Sequence, residues 1–251
     1  MNTPIDLRDT TVLVTNRLKR TGEEYSLVLL SDKHIDHILV LQEAGLAELT
    51  AAEQHFMIRK DRAFFEKHLA VGNNMFGVIQ GGRLIAQSIV VNPTAAHPKT
   101  GMTDMKLKVP VDTITILQGV IVDPDYRGNS LMGAMADAWL AEAHKQGRIH
   151  AISETALDNP FSWFVFLQKG LHIESIGFDK SDSTEVYNLH GHIPSLSKVF
   201  NEKAKKRVIC PLTDVARQKK LIAKRYKGAK YDPAKGHIEF HRSKKNVICT
   251  L

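Results

Sequence analysis

Val120-Ile121-Val122-Asp123-Pro124-Asp125-Tyr126-Arg127-Gly128-Asn129-Ser130-Leu131 is the stretch on which the reading of this chain turns. A β-branched run, Asp112 to Val122, ends just before Pro124, and a helical pattern begins within eight residues. Leu131, Met135, Ala138, Trp139 and Ala143 recur on one helical face, which predicts a helix over Ser130 to Gln146, stopped by Gly147. A helix start carries unpaired backbone N–H groups and the positive end of the helix dipole, so this turn suits a phosphate or pyrophosphate. Gly128 permits close backbone approach and Arg127 adds a cation. The same residues also suit a tight strand-to-helix turn with Asn129 or Ser130 as N-cap.

Upstream, Tyr25 to Leu30 reads as a strand. Ile35, Ile38, Leu39, Gln42 and Leu46 fall at helical spacing with Asp32 as cap, and a second helix is expected over Ala52 to Val71. Met75 to Gln80 and Arg83 to Asn92, joined by Gly81-Gly82, read as a hairpin. Pro93 to Pro110 is polar and reads as a mobile loop. Downstream come a strand at Ala151 to Ala156, a short helix at Phe161 to Lys169 and strands at Leu171 to Phe178 and Glu185 to His190. Beyond Ser195, only a helix at Asp214 to Tyr226 and a strand at His237 to His241 are legible. The order predicts an α/β fold, a mixed sheet with helices on its faces. The expected organisation is an N-terminal segment (1–24), a core domain (25–194) and a basic extension (195–251).

The chain has 251 residues, 43% of them hydrophobic and 24% charged, as in ordinary globular proteins. Its longest apolar stretch, around Ile114 to Val122, is too short to span a bilayer. No secretory signal is expected from MNTPIDLRDT. The two cysteines, Cys210 and Cys249, form neither a metal spacing nor a disulfide framework, so a reduced, cytoplasmic setting is expected. From Ser195 onward there are 16 Lys and Arg against four acids, a net +12, which leaves −5 for residues 1 to 194 in a chain of net +7. Such a tail suits a nucleic acid, an acidic partner or the chain's own acidic body. The alternative is a solvated basic surface.

Val122-Asp123-Pro124-Asp125-Tyr126-Arg127-Gly128 resembles the V-x-P-x-Y-R-G segment that leads into the acetyl-CoA loop of the GNAT (Gcn5-related N-acetyltransferase) superfamily. Asn159, Ser162, Phe166, Gly170 and Leu171 stand at offsets 0, 3, 7, 11 and 12, similar to the Asn, small residue, Tyr and Gly-Phe of the same family. The likeness is clear over Thr113 to Phe178 and extends by element order back to Tyr25. It implies a central twisted mixed sheet and an acyl-CoA co-substrate, acetyl-CoA or another short acyl-CoA. It implies that the backbone of Val120, Ile121 and Val122 pairs with the pantetheine arm. Arg127, Gly128, Asn129, Ser130, Leu131, Met132 and Gly133 would form the pyrophosphate loop and helix start, Asn159 would lie near the pantetheine or the reacting thioester, and Ser162 and Phe166 would also belong to the cofactor site. Asn159 before Pro160 is equally a helix cap with proline at the first helical position.

Two departures stand out. Family loops read R-x-x-G-x-G or R-x-x-G-x-A, whereas Ser130 and Met132 replace both later glycines here, and Gly133 sits one place beyond. Phe166 stands where many relatives have a Tyr that protonates the leaving thiolate. The implied reaction attaches an acyl group to a small-molecule or protein amine. An amine of pKa ~10.4 costs about 4–5 kcal/mol to deprotonate near pH 7, so a general base is needed. Glu154, Asn159 and His190 are the catalytic candidates, with His192 as a neighbour. Glu154 reads equally as a strand-end carboxylate, and most of the chain's 12 histidines must be incidental. No Ser-His-Asp set and no HExxH motif is present. The other classes open to this sequence are a non-catalytic CoA- or partner-binding protein of the same fold and an RNA-associated acetyltransferase.

Overall fold

The computed structural model describes residues 3–98, 107–179, 183–198 and 206–243. The centre of the Pro93 to Pro110 loop, Lys203 to Lys205 of the basic tail and Cys249 lie outside them. The chain divides into two compact units, Met1–Asn92 with Leu117–Glu142, and Pro93–Ile116 with Ala143–Leu251.

In the first unit the strands are β1 (Thr11–Arg17), β2 (Glu24–Leu29), β3 (Asn74–Gln80), β4 (Arg83–Val91) and the later part of β5 (Ile114–Val122), in that spatial order. The β1–β2, β2–β3 and β3–β4 ladders are antiparallel. The Gly81-Gly82 turn forms as expected, both residues at positive φ (55° and 78°). That is the geometry of a two-residue hairpin whose twist matches its strands. Helix α1 (Ile35–Ala47) and helix α2 (Arg62–Ala70) cover this sheet, with Val28, Ile35, Ile38, Leu41, Phe65, Met75, Ile89 and Ile121 in one buried cluster. Each such side chain contributes about 1.5–3 kcal/mol when buried.

Two local expectations are corrected. The turn before α1 is capped by Ser31 and His34, whose Nδ1 lies 2.9 Å from the Ser31 backbone nitrogen, and Asp32 is the first residue of that turn. The helix expected over Ala52 to Val71 is a short 3-10 turn (Gln54–Phe56), an extended Met57 and then α2. Asp61 starts α2 by accepting the Phe64 N–H at 2.8 Å. The buried Gln42 amide holds the intervening strand-like segment by bonding both the N–H and the carbonyl of Lys60 at 2.8 Å.

The second unit holds β6 (His150–Ala156), α4 (Pro160–Gln168), β7 (His172–Asp179), β8 (Thr184–His192), β9 (Arg207–Pro211), α5 (Val215–Ala223), β10 (Tyr226–Asp232) and β11 (His237–Arg242). The strand order is β6-β8-β7-β10-β11-β9. Trp163, Phe166, Tyr187 and Phe240 fill its core, all within 1% of complete burial. The tail is built into this sheet. Gly228 of β10 pairs with Ile173 of β7, and Tyr187 donates its hydroxyl to Gln218 of α5 at 2.6 Å. Lys219 and Lys227 pair with Glu185 and Glu174, so these two tail cations are neutralised internally.

The long helix α3 (Leu131–Lys145) follows the central turn and buries Leu131, Met135, Trp139 and Ala143, four of the five residues expected on its face.

Candidate active site

Strand β5 prepares the turn that follows it. Ile114 to Leu117 are fully buried, but at Gly119 the backbone takes φ 47°, and beyond it Val120 and Val122 are half-buried while Ile121 returns to the core. Such a kink in a strand interior is the mark of a bulge and needs a residue without Cβ. Val120, Ile121 and Val122 lie between this kink and the turn.

The turn is a closed hydrogen-bonded unit. Asp123, 3% exposed, accepts the Asp125 N–H at 3.1 Å and is paired with Arg83. The Tyr126 hydroxyl donates to Gln80 Oε1 at 3.1 Å. Asn129 is buried and fully engaged: its Nδ2 donates to the Tyr126 carbonyl at 3.0 Å and its Oδ1 accepts the Arg20 N–H at 2.9 Å. Asn129 is therefore a brace between two loops, and its carbonyl-type oxygen does not cap α3.

Gly128 (φ 81°) and Ser130 (φ 60°) both occupy the left-handed region. Because of them the chain reverses without closing local hydrogen bonds. Ala134 is the first N–H of the helix to find a carbonyl, that of Ser130 at 3.1 Å. The six preceding N–H groups, Gly128 through Gly133, donate to nothing among the described residues. Arg127 and Arg20 are exposed and stand in no ion pair among the described residues. Unpaired N–H groups at a helix start beside two guanidinium groups outside any ion pair suit an anion, and this donor set fits a pyrophosphate. The Glu53 carboxyl is held below its usual range by its hydrogen bonds to Thr50 and, in lesser part, by the charge of Arg127.

The catalytic candidates lie in the second unit. Glu154, on β6 opposite Asn188 of β8, is partly exposed. Asn159 caps α4: its Oδ1 accepts the Ser162 N–H at 3.3 Å, and Pro160 is the first helical residue. The Nδ2 of Asn159 donates to no described residue. Phe166 is buried to 1% exposure. His190 is also buried, with Nε2 3.0 Å from His150 Nδ1 and Nδ1 3.6 Å from Glu174 Oε1. His192 bonds Ser195 at 2.8 Å. His150 is pushed down to about 4 by burial and by the neighbouring His190 and His192, and burial likewise brings His172 down to about 4. For Glu174, burial acts upward, but His190 and Lys227 outweigh it and hold the carboxyl below its usual range.

Known structures resemble the fold of this chain. An N-acetyltransferase from Staphylococcus aureus Mu50 superposes with TM-score 0.52 at 12% identity, over 67% of this chain and 98% of the other. The ribosomal-protein-S18-alanine N-acetyltransferase of Escherichia coli gives 0.51 at 14% identity, over 67% and 94%. The chain has the GNAT fold. A third GNAT-fold match, a putative acetyltransferase from Salmonella typhimurium solved with its cofactor acetyl-CoA, gives 0.50 at 11% identity, again over 67% and 94%. No protein-family model and no curated protein sequence matches the chain. The GNAT fold was legible from the two spaced motifs. The involvement of Arg20 was not, because its partners lie 107 and 109 residues away. No helix among the described residues is long and apolar enough to cross a membrane.

Proposed function

We propose that the chain is an N-acyltransferase that moves an acetyl or other short acyl group from coenzyme A to an amine by direct attack. The observation behind this is the run of six undonated N–H groups from Gly128 to Gly133, beside Arg127, in a chain with the GNAT fold. In this reading Arg127, Gly128, Asn129, Ser130, Leu131, Met132 and Gly133 hold the pyrophosphate. Ser130 and Met132 lack the freedom of glycine but keep their N–H groups, and Ser130 already adopts the left-handed backbone a glycine would supply. The backbone of Val120, Ile121 and Val122 pairs with the pantetheine arm, as an added strand does. The family resemblance assigns Asn159, Ser162 and Phe166 to the cofactor as well, although Phe166 is buried in the core of the second unit. Asn159 can serve twice, since Oδ1 caps α4 while Nδ2 stays available.

Acetyl-CoA supplies the activated acyl group. Glu154 is the general base: it accepts the proton that the attacking amine gives up, directly or through water. We assign the donor to the developing oxyanion to the kinked backbone of β5 around Gly119. His190 ranks behind Glu154, because both its ring nitrogens face partners inside the core. The acceptor is an amine, small or on a protein. The setting is cytoplasmic, and the domains are 25–194 for the acyl-CoA unit with 195–251 as its extension. The test is free-thiol release from acetyl-CoA over a panel of primary amines. Turnover with at least one amine is expected, with kcat lowered about 100-fold or more in Glu154→Gln. No release with any amine rejects the enzymatic reading.

A second reading, a CoA-binding protein of the same fold without catalysis, is favoured by Phe166. Its ring has no proton to give the departing thiolate. CoA binding with no turnover would select it.

A further inference from the structure

In the turn between β1 and β2, Arg20 meets the loop at Arg127–Asn129. The turn is preset. Leu18 is buried and donates to the Glu23 carbonyl at 2.8 Å, Gly22 (φ 75°) donates to the Leu18 carbonyl at 2.8 Å, and Thr21 bonds Glu23 at 2.9 Å. From this base Arg20 gives the loop three things. Its backbone N–H holds Asn129 Oδ1 at 2.9 Å, its guanidinium Nη1 donates to the Arg127 carbonyl at 3.2 Å, and its Cδ covers Gly128 at 3.5 Å from where a Cβ would stand. The guanidinium has five N–H donors, and a single one is used. Arg20 is exposed and stands in no ion pair among the described residues, so its charge is not neutralised by the fold.

We propose that Arg20 is a positioning and phosphate-binding residue of the loop: it fixes the Arg127–Asn129 backbone and lends a second cation, beside Arg127, to the phosphates of the coenzyme. This rests on the acyl-CoA reading above. It also accounts for how a loop lacking both later glycines of the GNAT pattern binds, because the missing flexibility is replaced by a brace from another part of the chain. The strand and turn that carry Arg20 precede Tyr25, the point from which the family resemblance runs.

The test is calorimetric titration of the full chain with CoA, for wild type, Arg20→Ala and Arg20→Lys, at about 0.05 M and about 0.5 M salt. Arg20→Ala should weaken CoA about tenfold at low salt, the loss of one charge-assisted bond, and by much less at high salt. Arg20→Lys restores charge but not the planar fork, so it should recover part of the affinity. In the thiol-release assay Arg20→Ala should raise KM for acetyl-CoA with kcat nearly unchanged, and its melting temperature should stay within about 2 °C of wild type. Wild-type binding with equal affinity in Arg20→Ala overturns this inference and leaves the acyl-CoA reading intact. A loss that is independent of salt and not recovered by Lys also overturns it, showing a structural role alone. No CoA binding by wild type overturns the acyl-CoA reading and this inference with it.

Discussion

Removing the ammonium of Lys227 should expose how much the tail depends on one buried carboxylate. Glu174 has 5% side-chain exposure and Lys227 has 17%, and the two are in contact across β7 and β10. In Lys227→Met the aliphatic stem is replaced at similar volume, and among the described residues Glu174 keeps His190, 3.6 Å away, as its ion-pair partner, with His172 also near its charge. Breaking a buried pair by removing one member costs about 3–5 kcal/mol, and the remaining His190 places this case near the lower end, about 3 kcal/mol. For a chain of this length each kcal/mol moves the melting temperature by about 2–4 °C, so a fall of about 6–12 °C is expected. Scanning calorimetry at pH 7.5 measures it. The double variant Glu174→Gln, Lys227→Met removes both charges and should recover most of the loss, because a cycle isolates the pair. A Lys227→Met melting temperature within about 1 °C of wild type would refute the reasoning, since the carboxylate would then need no ammonium.

The histidine cluster gives a pH dependence of definite sign. His150 and His172 are held at about 4 in the folded chain, against about 6.5 when unfolded. The unfolded chain therefore binds more protons between these values. Stability should be full above about pH 6.5 and fall as pH drops toward 4, by up to about 3 kcal/mol per histidine, as followed by urea denaturation at stepped pH. His172→Gln should flatten that slope. Asn159→Ala removes the α4 cap and should cost about 1 kcal/mol in the same denaturation assay, with a further loss of acetyl-CoA affinity if Nδ2 reaches the coenzyme. Gly128→Ala forces a Cβ into φ 81°. It should cost about 1–2 kcal/mol and weaken CoA binding, whereas Gly236→Ala, also at positive φ but in the β10–β11 turn, should affect stability alone.

The sequence carried the elements whose signals are local. The Gly81-Gly82 hairpin, β5, α3 and the cap at Asn159 each have their determinants within a few residues, and all four formed. Strand β1 was not legible, because Val12 and Val14 are exposed and TVLVTNR offers no buried face to read. Strand β10, YKGAKYD, has hardly an apolar residue, and its strand character comes from pairing with β11 and β7. Helix α2 was drawn too long because the apolar spacing continued through Met57, where the Gln42 clamp on Lys60 imposes another path. In the candidate site, Asp123 to Gly133 could be named from spacing, but the brace formed by Asn129 and Arg20 joins residues about a hundred positions apart. Nor could spacing show that His190 lies behind His150 and Glu174 within the core.

The central claim is that the turn from Arg127 to Gly133 holds the pyrophosphate of a coenzyme A thioester. Titrating the full chain with acetyl-CoA by calorimetry, beside an acetyl-pantetheine fragment without phosphates, tests it most directly. Saturable binding of acetyl-CoA, at least about tenfold tighter than the fragment and weakened by Gly128→Ala, is the result this account expects. No heat of binding with acetyl-CoA at millimolar concentration, or equal affinity for the two ligands, would contradict it.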